Sequence, residues 1–228
     1  MGFKSLAQTQ PAATFRLART LGVTQNMLTN ICTIGDIERF VSEIERDYQS
    51  TQGLILSEYD AQCLLFAKIS AHLAANNNSR AVTDDPAIYA SPLHTEIKFL
   101  DENGKLLIRP DITVLDVRNI SLVNDDSTRL VARKGFVFYG SAIVIELKFC
   151  KSRIGIDQRF TRSVRTDCEK ISEIHQRLYP AEEEPTFSGC VVVFSRSNRR
   201  CAAFNQLIGY YTSDPVVRVI HATGNLNR

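Results

Sequence analysis

Two apolar runs that carry charged residues where a buried strand would carry Val or Ile constrain this chain more than any other feature. The first is Arg109-Pro110-Asp111-Ile112-Thr113-Val114-Leu115 and the second Gly140-Ser141-Ala142-Ile143-Val144-Ile145-Glu146-Leu147-Lys148-Phe149. The ordinary reading of Glu146-x-Lys148 is a solvated edge strand with alternate charges facing water. The unbroken apolar run Ala142 to Ile145 argues instead for a central strand buried on both faces. Successive strand side chains alternate, so Glu146 and Lys148 share one face, and Asp111 and Thr113 share a face opposite Ile112 and Val114. If the two strands pair, one face gathers Asp111, Glu146 and Lys148. Burying such groups is costly unless a metal or a partner compensates. A hard divalent cation takes oxygen ligands, and Mg²⁺ needs only one or two protein carboxylates. Lys148 would then stand beside the attacking water, to orient it or to draw off its proton. That set suffices to hydrolyse a phosphodiester.

Pro110-Asp111 followed by Glu146-Leu147-Lys148 resembles the PD-(D/E)XK nuclease superfamily, from about Leu56 to about Ser195, by the order of its motifs. The resemblance implies an α/β fold with a restriction-endonuclease-like core: αβββαβ, a mixed central sheet flanked by helices. It also implies Mg²⁺- or Mn²⁺-dependent cleavage of nucleic acid. Asp111, Glu146 and the Leu147 carbonyl would hold the ion and Lys148 would stand near the water. In that family a glutamate on the first core helix often reaches the metal, and Glu58 is the candidate. Its alternative is a first-turn acid complementing the helix dipole. Two departures stand out. The spacing from Asp111 to Glu146 requires an inserted loop or extra strand over Asn119 to Lys134, and Gln158 is followed by Arg162 where some relatives carry Gln-x-x-x-Tyr.

The 228 residues, 44% of them hydrophobic, suffice for a sizeable core. A formal charge of +2 is too small to signal nucleic acid by itself, so such a surface must come from local clustering. Lys151, Arg153, Arg159, Arg162 and Arg165 form one cluster directly after the Glu-x-Lys strand, and Ser195-Arg196-Ser197-Asn198-Arg199-Arg200 forms a second basic loop. Arg159, Arg162 and Arg165 of the first cluster lie on a helix over Asp157 to Leu178. Its arginine face would meet phosphates; the plainer alternative is a solvated helix with Asp167 and Lys170 as local ion partners. Six cysteines without a CxxC pair read as reduced thiols of a cytoplasmic protein. No run reaches membrane-spanning length.

Residues 1–50 read as a helical N-terminal appendage and 51–228 as the core. Leu17 to Ile31 resembles a helix-turn-helix turning at Gly22, with Thr24 to Asn26 opening the second helix. That helix carries no Arg or Lys, so a helical cap or oligomer contact is the better reading. Ile37, Phe40, Val41 and Ile44 mark an amphipathic helix. Ser57-x-x-Asp60 opens the first core helix. Leu93 to Leu100 reads as one strand in a hairpin with Leu106 to Val117. It places His94 as a hydrogen-bonding sheet residue and Glu96 as a further ligand or supporting acid. Cys190 to Phe194 is a buried strand, and Val216 to Ile220 a last strand at an edge. Together these readings give a DNA endonuclease acting as a homodimer on double-stranded DNA, in defence or mobile-element processing. The alternatives are RNA as substrate, or a non-catalytic module of the same fold that binds nucleic acid or a partner protein, the latter through the N-terminal helices.

Overall fold

A computed structural model describes residues 31–51, 53–82, 89–100, 105–117, 136–137, 142–178 and 187–224. The expectations for the helix-turn-helix at Leu17 to Ile31 and the insertion at Asn119 to Lys134 fall outside the described residues.

Helices are α1 (Ile34–Ser50), α2 (Glu58–Ala75), α3 (Gln158–Leu178) and α4 (Ala202–Tyr211). Strands are β1 (Ala81–Val82), β2 (Tyr89–Ala90), β3 (Leu93–Thr95), β4 (Phe99–Leu100), β5 (Leu106–Ile108), β6 (Ile112–Leu115), β7 (Phe136–Val137), β8 (Ala142–Cys150), β9 (Phe187–Ser195) and β10 (Val217–Thr223). The chain is thus mixed α/β, around a five-stranded sheet of order β10-β9-β8-β6-β3. β8, β9 and β10 run parallel, while β6 and β3 run antiparallel to their neighbours. Parallel neighbours need a crossover, and α3 and α4 supply the two.

The first two helices start where side chains can satisfy their free N–H groups. Thr33 caps α1 and Ser57 caps α2, each in a reciprocal box with the acid three residues on, Asp36 and Asp60. Each cap is worth about 1 kcal/mol. α1 buries Ile37, Phe40, Val41, Ile44 and Tyr48 with Leu65 and Ile69 of α2 against Ile112, Ile145, Leu147 and Val192. On the other face, Val164, Ile171, Phe204 and Leu207 cover Val144, Val191 and Val193. Gly189 permits the close approach of α3, since a Cβ there would meet Val144 Cγ2 at 2.8 Å and Ile171 Cγ2 at 2.9 Å.

The structure corrects one sequence expectation and adds one helix. Leu93 to Leu100 is not one strand: it breaks at Glu96, whose φ of 56° is left-handed, and resumes as β4 in a separate sheet of order β5-β4-β7. The bend is held by Glu96 N–H, which donates to the Pro110 carbonyl at 3.1 Å, so Pro110, lacking its own N–H, marks where the partner chain turns too. The helix α4 was not anticipated, because its N-cap Cys201 makes no side-chain cap and Ala202 to Tyr211 lacks a charged face.

Candidate active site

The site grows from a mismatch of strand lengths. β8 has nine residues and β6 four, with Ile112 paired to Ile145 at the end of their ladder. One step further puts Asp111 opposite Glu146, and beyond that point β8 overhangs with no strand neighbour on its β6 side among the described residues. The overhang leaves backbone N–H groups that must be satisfied. Two carboxylates do it: Asp111 Oδ2 accepts from Leu147 N at 2.6 Å, and Glu58 Oε2 accepts from Phe149 N at 3.1 Å. Gln62, buried on α2 and not singled out by the sequence, donates through Nε2 to the Asp111 carbonyl at 2.7 Å and fixes that residue from behind. The N–H and C=O of a strand residue address the same neighbour, so the Leu147 carbonyl also leaves β8 on the overhanging side.

Electrostatically the site is strained. Glu146 is half-buried and has no hydrogen-bond or ion-pair partner among the described residues. Burial, then the charges of Asp111 and Asp167, push its carboxyl up to about 8, against the pull of Lys148 and Lys170. Asp111 is also raised, by burial first, with the Leu147 N–H opposing. Lys148 takes the reverse course. Burial pulls its ammonium down, yet the 2.9 Å ion pair with Asp167 on α3 outweighs it, so the group is raised and stays a cation at neutral pH. Asp167, only 9% exposed, also holds Lys170 at 3.0 Å. The sequence offered Asp167 as a neighbour of Lys170 along the helix; its reach across to β8 depends on how α3 lies on the sheet. A charged lysine can orient a water but not take its proton.

The other candidates are dispersed. His94 Nε2 lies 2.7 Å from the Ser91 carbonyl, and burial lowers its pKa, so it is a neutral sheet residue tied to backbone. Glu96 pairs with Arg109 at 3.1 Å. Lys151, Arg153, Arg159, Arg162 and Arg165 are all exposed. Lys151 and Arg159 line a cleft of about 680 Å³ with Phe149 and Phe160, whereas Arg165 opens on another, about 670 Å³, that it shares with Glu169, Glu173 and Asp214. Burial pushes the Cys32 and Cys168 thiols up to about 12, which removes them as nucleophiles.

Among the described residues no three His, Cys, Asp or Glu side chains form a ready-made metal cluster. The donors at the overhang are nonetheless hard oxygens: Asp111 and Glu146 opposite one another, the Leu147 carbonyl between, and Glu58 one N–H further along. Two facing carboxylates, one of them without a partner, fit Mg²⁺ or Mn²⁺, which fill their remaining positions with water. No helix among the described residues is long and apolar enough to cross a membrane. Comparison with protein-family models, curated proteins and solved structures found no match to the chain.

Proposed function

We propose that the chain is a metal-dependent phosphodiesterase, and more narrowly a nuclease of the PD-(D/E)XK type that cuts inside double-stranded DNA. The order α2, β3, β6, β8, α3, β9 supports a restriction-endonuclease-like core. The carrying observation is the half-buried Glu146 across the ladder from Asp111, without a partner among the described residues, a carboxyl whose negative charge a proton or a cation would settle.

Asp111, Glu146 and the Leu147 carbonyl would hold the Mg²⁺ or Mn²⁺, with Glu58 adjoining. The ion supplies charge against the scissile phosphate and acidity to water. Lys148 stays charged through Asp167, so it orients the attacking water by hydrogen bonds and offsets negative charge on the phosphate oxygens. Asp111 has a second duty as acceptor for the Leu147 N–H. Cutting both strands needs two such sites, so a homodimer belongs to the proposal.

The test incubates the protein with plasmid, linear duplex, single-stranded DNA and RNA, each with and without Mg²⁺ or Mn²⁺. Metal-dependent cutting of duplex that Glu146→Ala abolishes is expected; cutting retained in that variant would remove the assignment. A second reading, a non-catalytic nucleic-acid- or protein-binding module of the same fold, draws on Lys148 being tied off by Asp167. Calorimetric titration with Mn²⁺ separates the two, since a pure binder has no need of the ion.

A further inference from the structure

The loop from Lys151 to Asp157 after β8 and the loop from Arg196 to Cys201 after β9 are not independent. Ile156 N donates to the Arg199 carbonyl at 2.9 Å, Cys201 N donates to the Ile156 carbonyl at 3.0 Å, and Arg196 N donates to the Cys150 carbonyl at 3.2 Å. Ile156 and Arg200 form a parallel bridge. Gly155, at φ +105°, permits the approach, since any Cβ there would run into the Arg199 backbone. Two loops distant in sequence therefore form one platform at the C-terminal ends of two neighbouring parallel strands.

The platform's surface is cationic with one apolar tip. Lys151, Arg153, Arg159, Arg199 and Arg200 are exposed, and none makes an ion pair among the described residues. The acid within it, Asp157, is exposed and is engaged locally, accepting from Phe160 N at 2.8 Å, so the cations outnumber it five to one. Between Arg153 and Gly155 stands Ile154, 79% exposed. At that exposure Ile154 adds little to the core, and it stands among cations that make no ion pair among the described residues. Proteins that kink duplex DNA present such a residue, an apolar wedge entering a base step while flanking cations hold the phosphates. The distance fits as well. Lys148 lies two residues before the end of β8 and Lys151 opens the loop that follows it, so the two backbones are at most roughly 10 Å apart. Each strand of a duplex carries a phosphate about every 3.4 Å of axis, so a duplex crossing the acids reaches the platform within a few base pairs.

We propose that these two joined loops are a duplex-DNA grip, in which Lys151, Arg153, Arg159, Arg199 and Arg200 hold phosphates and Ile154 enters the base stack. This rests on the nuclease reading for its substrate, but the grip acts in binding and needs no cleavage. The test uses full-length Glu146→Gln in Ca²⁺ and a fluorescent duplex of twenty base pairs, with binding followed by anisotropy across salt concentrations. Arg199→Ala with Arg200→Ala is expected to weaken binding at least tenfold. It should also flatten the slope of log affinity against log salt by about 1.8, or 0.9 for each phosphate contact. Ile154→Ala should weaken binding about fivefold with the slope unchanged, and should abolish the fluorescence rise of a 2-aminopurine placed in the duplex. Arg39→Ala, which removes one charge on α1 where Arg39 pairs with Asp36, is the folding and charge control and should change nothing. Unchanged affinity and slope in the double variant, or binding lost equally in Arg39→Ala, would overturn the grip. Metal-dependent cleavage by the wild-type chain would then still stand, whereas a working grip on a chain that never cuts would leave the grip and remove the nuclease.

Discussion

Two polar clusters lie within this sheet, and only one is closed. At the β9–β10 side, the Ser195 hydroxyl, fully buried, donates to the Ser197 carbonyl at 2.8 Å and lies 2.8 Å from His221 Nε2, whose ring packs edge-on to Phe204. Burial, helped by Arg200, pulls His221 down to about 4, so this cluster is neutral and its named hydrogen-bonding atoms are satisfied. At the β6–β8 side the groups are ionisable, the Asp111 and Glu146 carboxyls are raised, and Glu146 has no partner among the described residues. A polar group buried for architecture is matched locally, because an unmatched one costs roughly 1–3 kcal/mol. An acid in a central strand that has no match among the described residues is what the proposed metal site would require.

The largest way to break this contrast is to delete the open cluster's acids. Glu146→Ala or Asp111→Ala should lower metal-dependent plasmid cleavage by about a thousandfold or more, roughly 4 kcal/mol of barrier. The two should part in stability: Asp111→Ala strands the Leu147 N–H and should lower the midpoint of urea unfolding, while Glu146→Ala should not. Next, Ser195→Ala in the closed cluster should cost roughly 2 kcal/mol in the same measurement without touching cleavage chemistry. Equal losses from both clusters would erase the distinction.

Acidity sharpens it further. Glu146 binds its proton more tightly folded than unfolded, so its contribution is full below about pH 4.5 and is lost as pH rises through about 8. Glu146→Gln should therefore match wild type near pH 4 and be clearly the more stable of the two near pH 8.5. His221 has the opposite sign. Its folded pKa is depressed, so stability present above about 6.5 is lost as pH falls through about 4, and a non-titrating His221→Asn should remove that acid-side slope of about 1.4 kcal/mol per pH unit. The smallest effect is expected from Lys170→Ala. That ammonium is 54% exposed, and its loss should shift stability by under about 0.5 kcal/mol while Lys148 keeps its partner.

The sequence showed much of this arrangement and missed particular parts for particular reasons. Alternation placed Asp111, Glu146 and Lys148 on one face, and the apolar run Ala142 to Ile145 marked a central strand; the register of Ile112 with Ile145 agrees with both. The Ser57 and Asp60 pattern marked the start of α2. Glu58 emerged from the resemblance alone, and its bond to Phe149 N belongs to an overhang that depends on where β6 stops. Asp167 and Gln62 reach the site through the packing of α3 and α2 on opposite faces, which local spacing does not encode. The split at Glu96 was missed because a left-handed residue inside an alternating pattern leaves no periodic trace.

The margin of β8 that no described strand covers also bears on solubility. An unpaired strand edge is a template for another chain's strand, and charges set beside it are the usual guard against sticking. Asp111 and Glu58 occupy its free N–H groups with carboxylates, so an incoming strand would have to evict both before it could pair. The acids assigned to chemistry thus double as gatekeepers, and a variant stripped of both should aggregate on storage at concentrations where the parent stays dispersed.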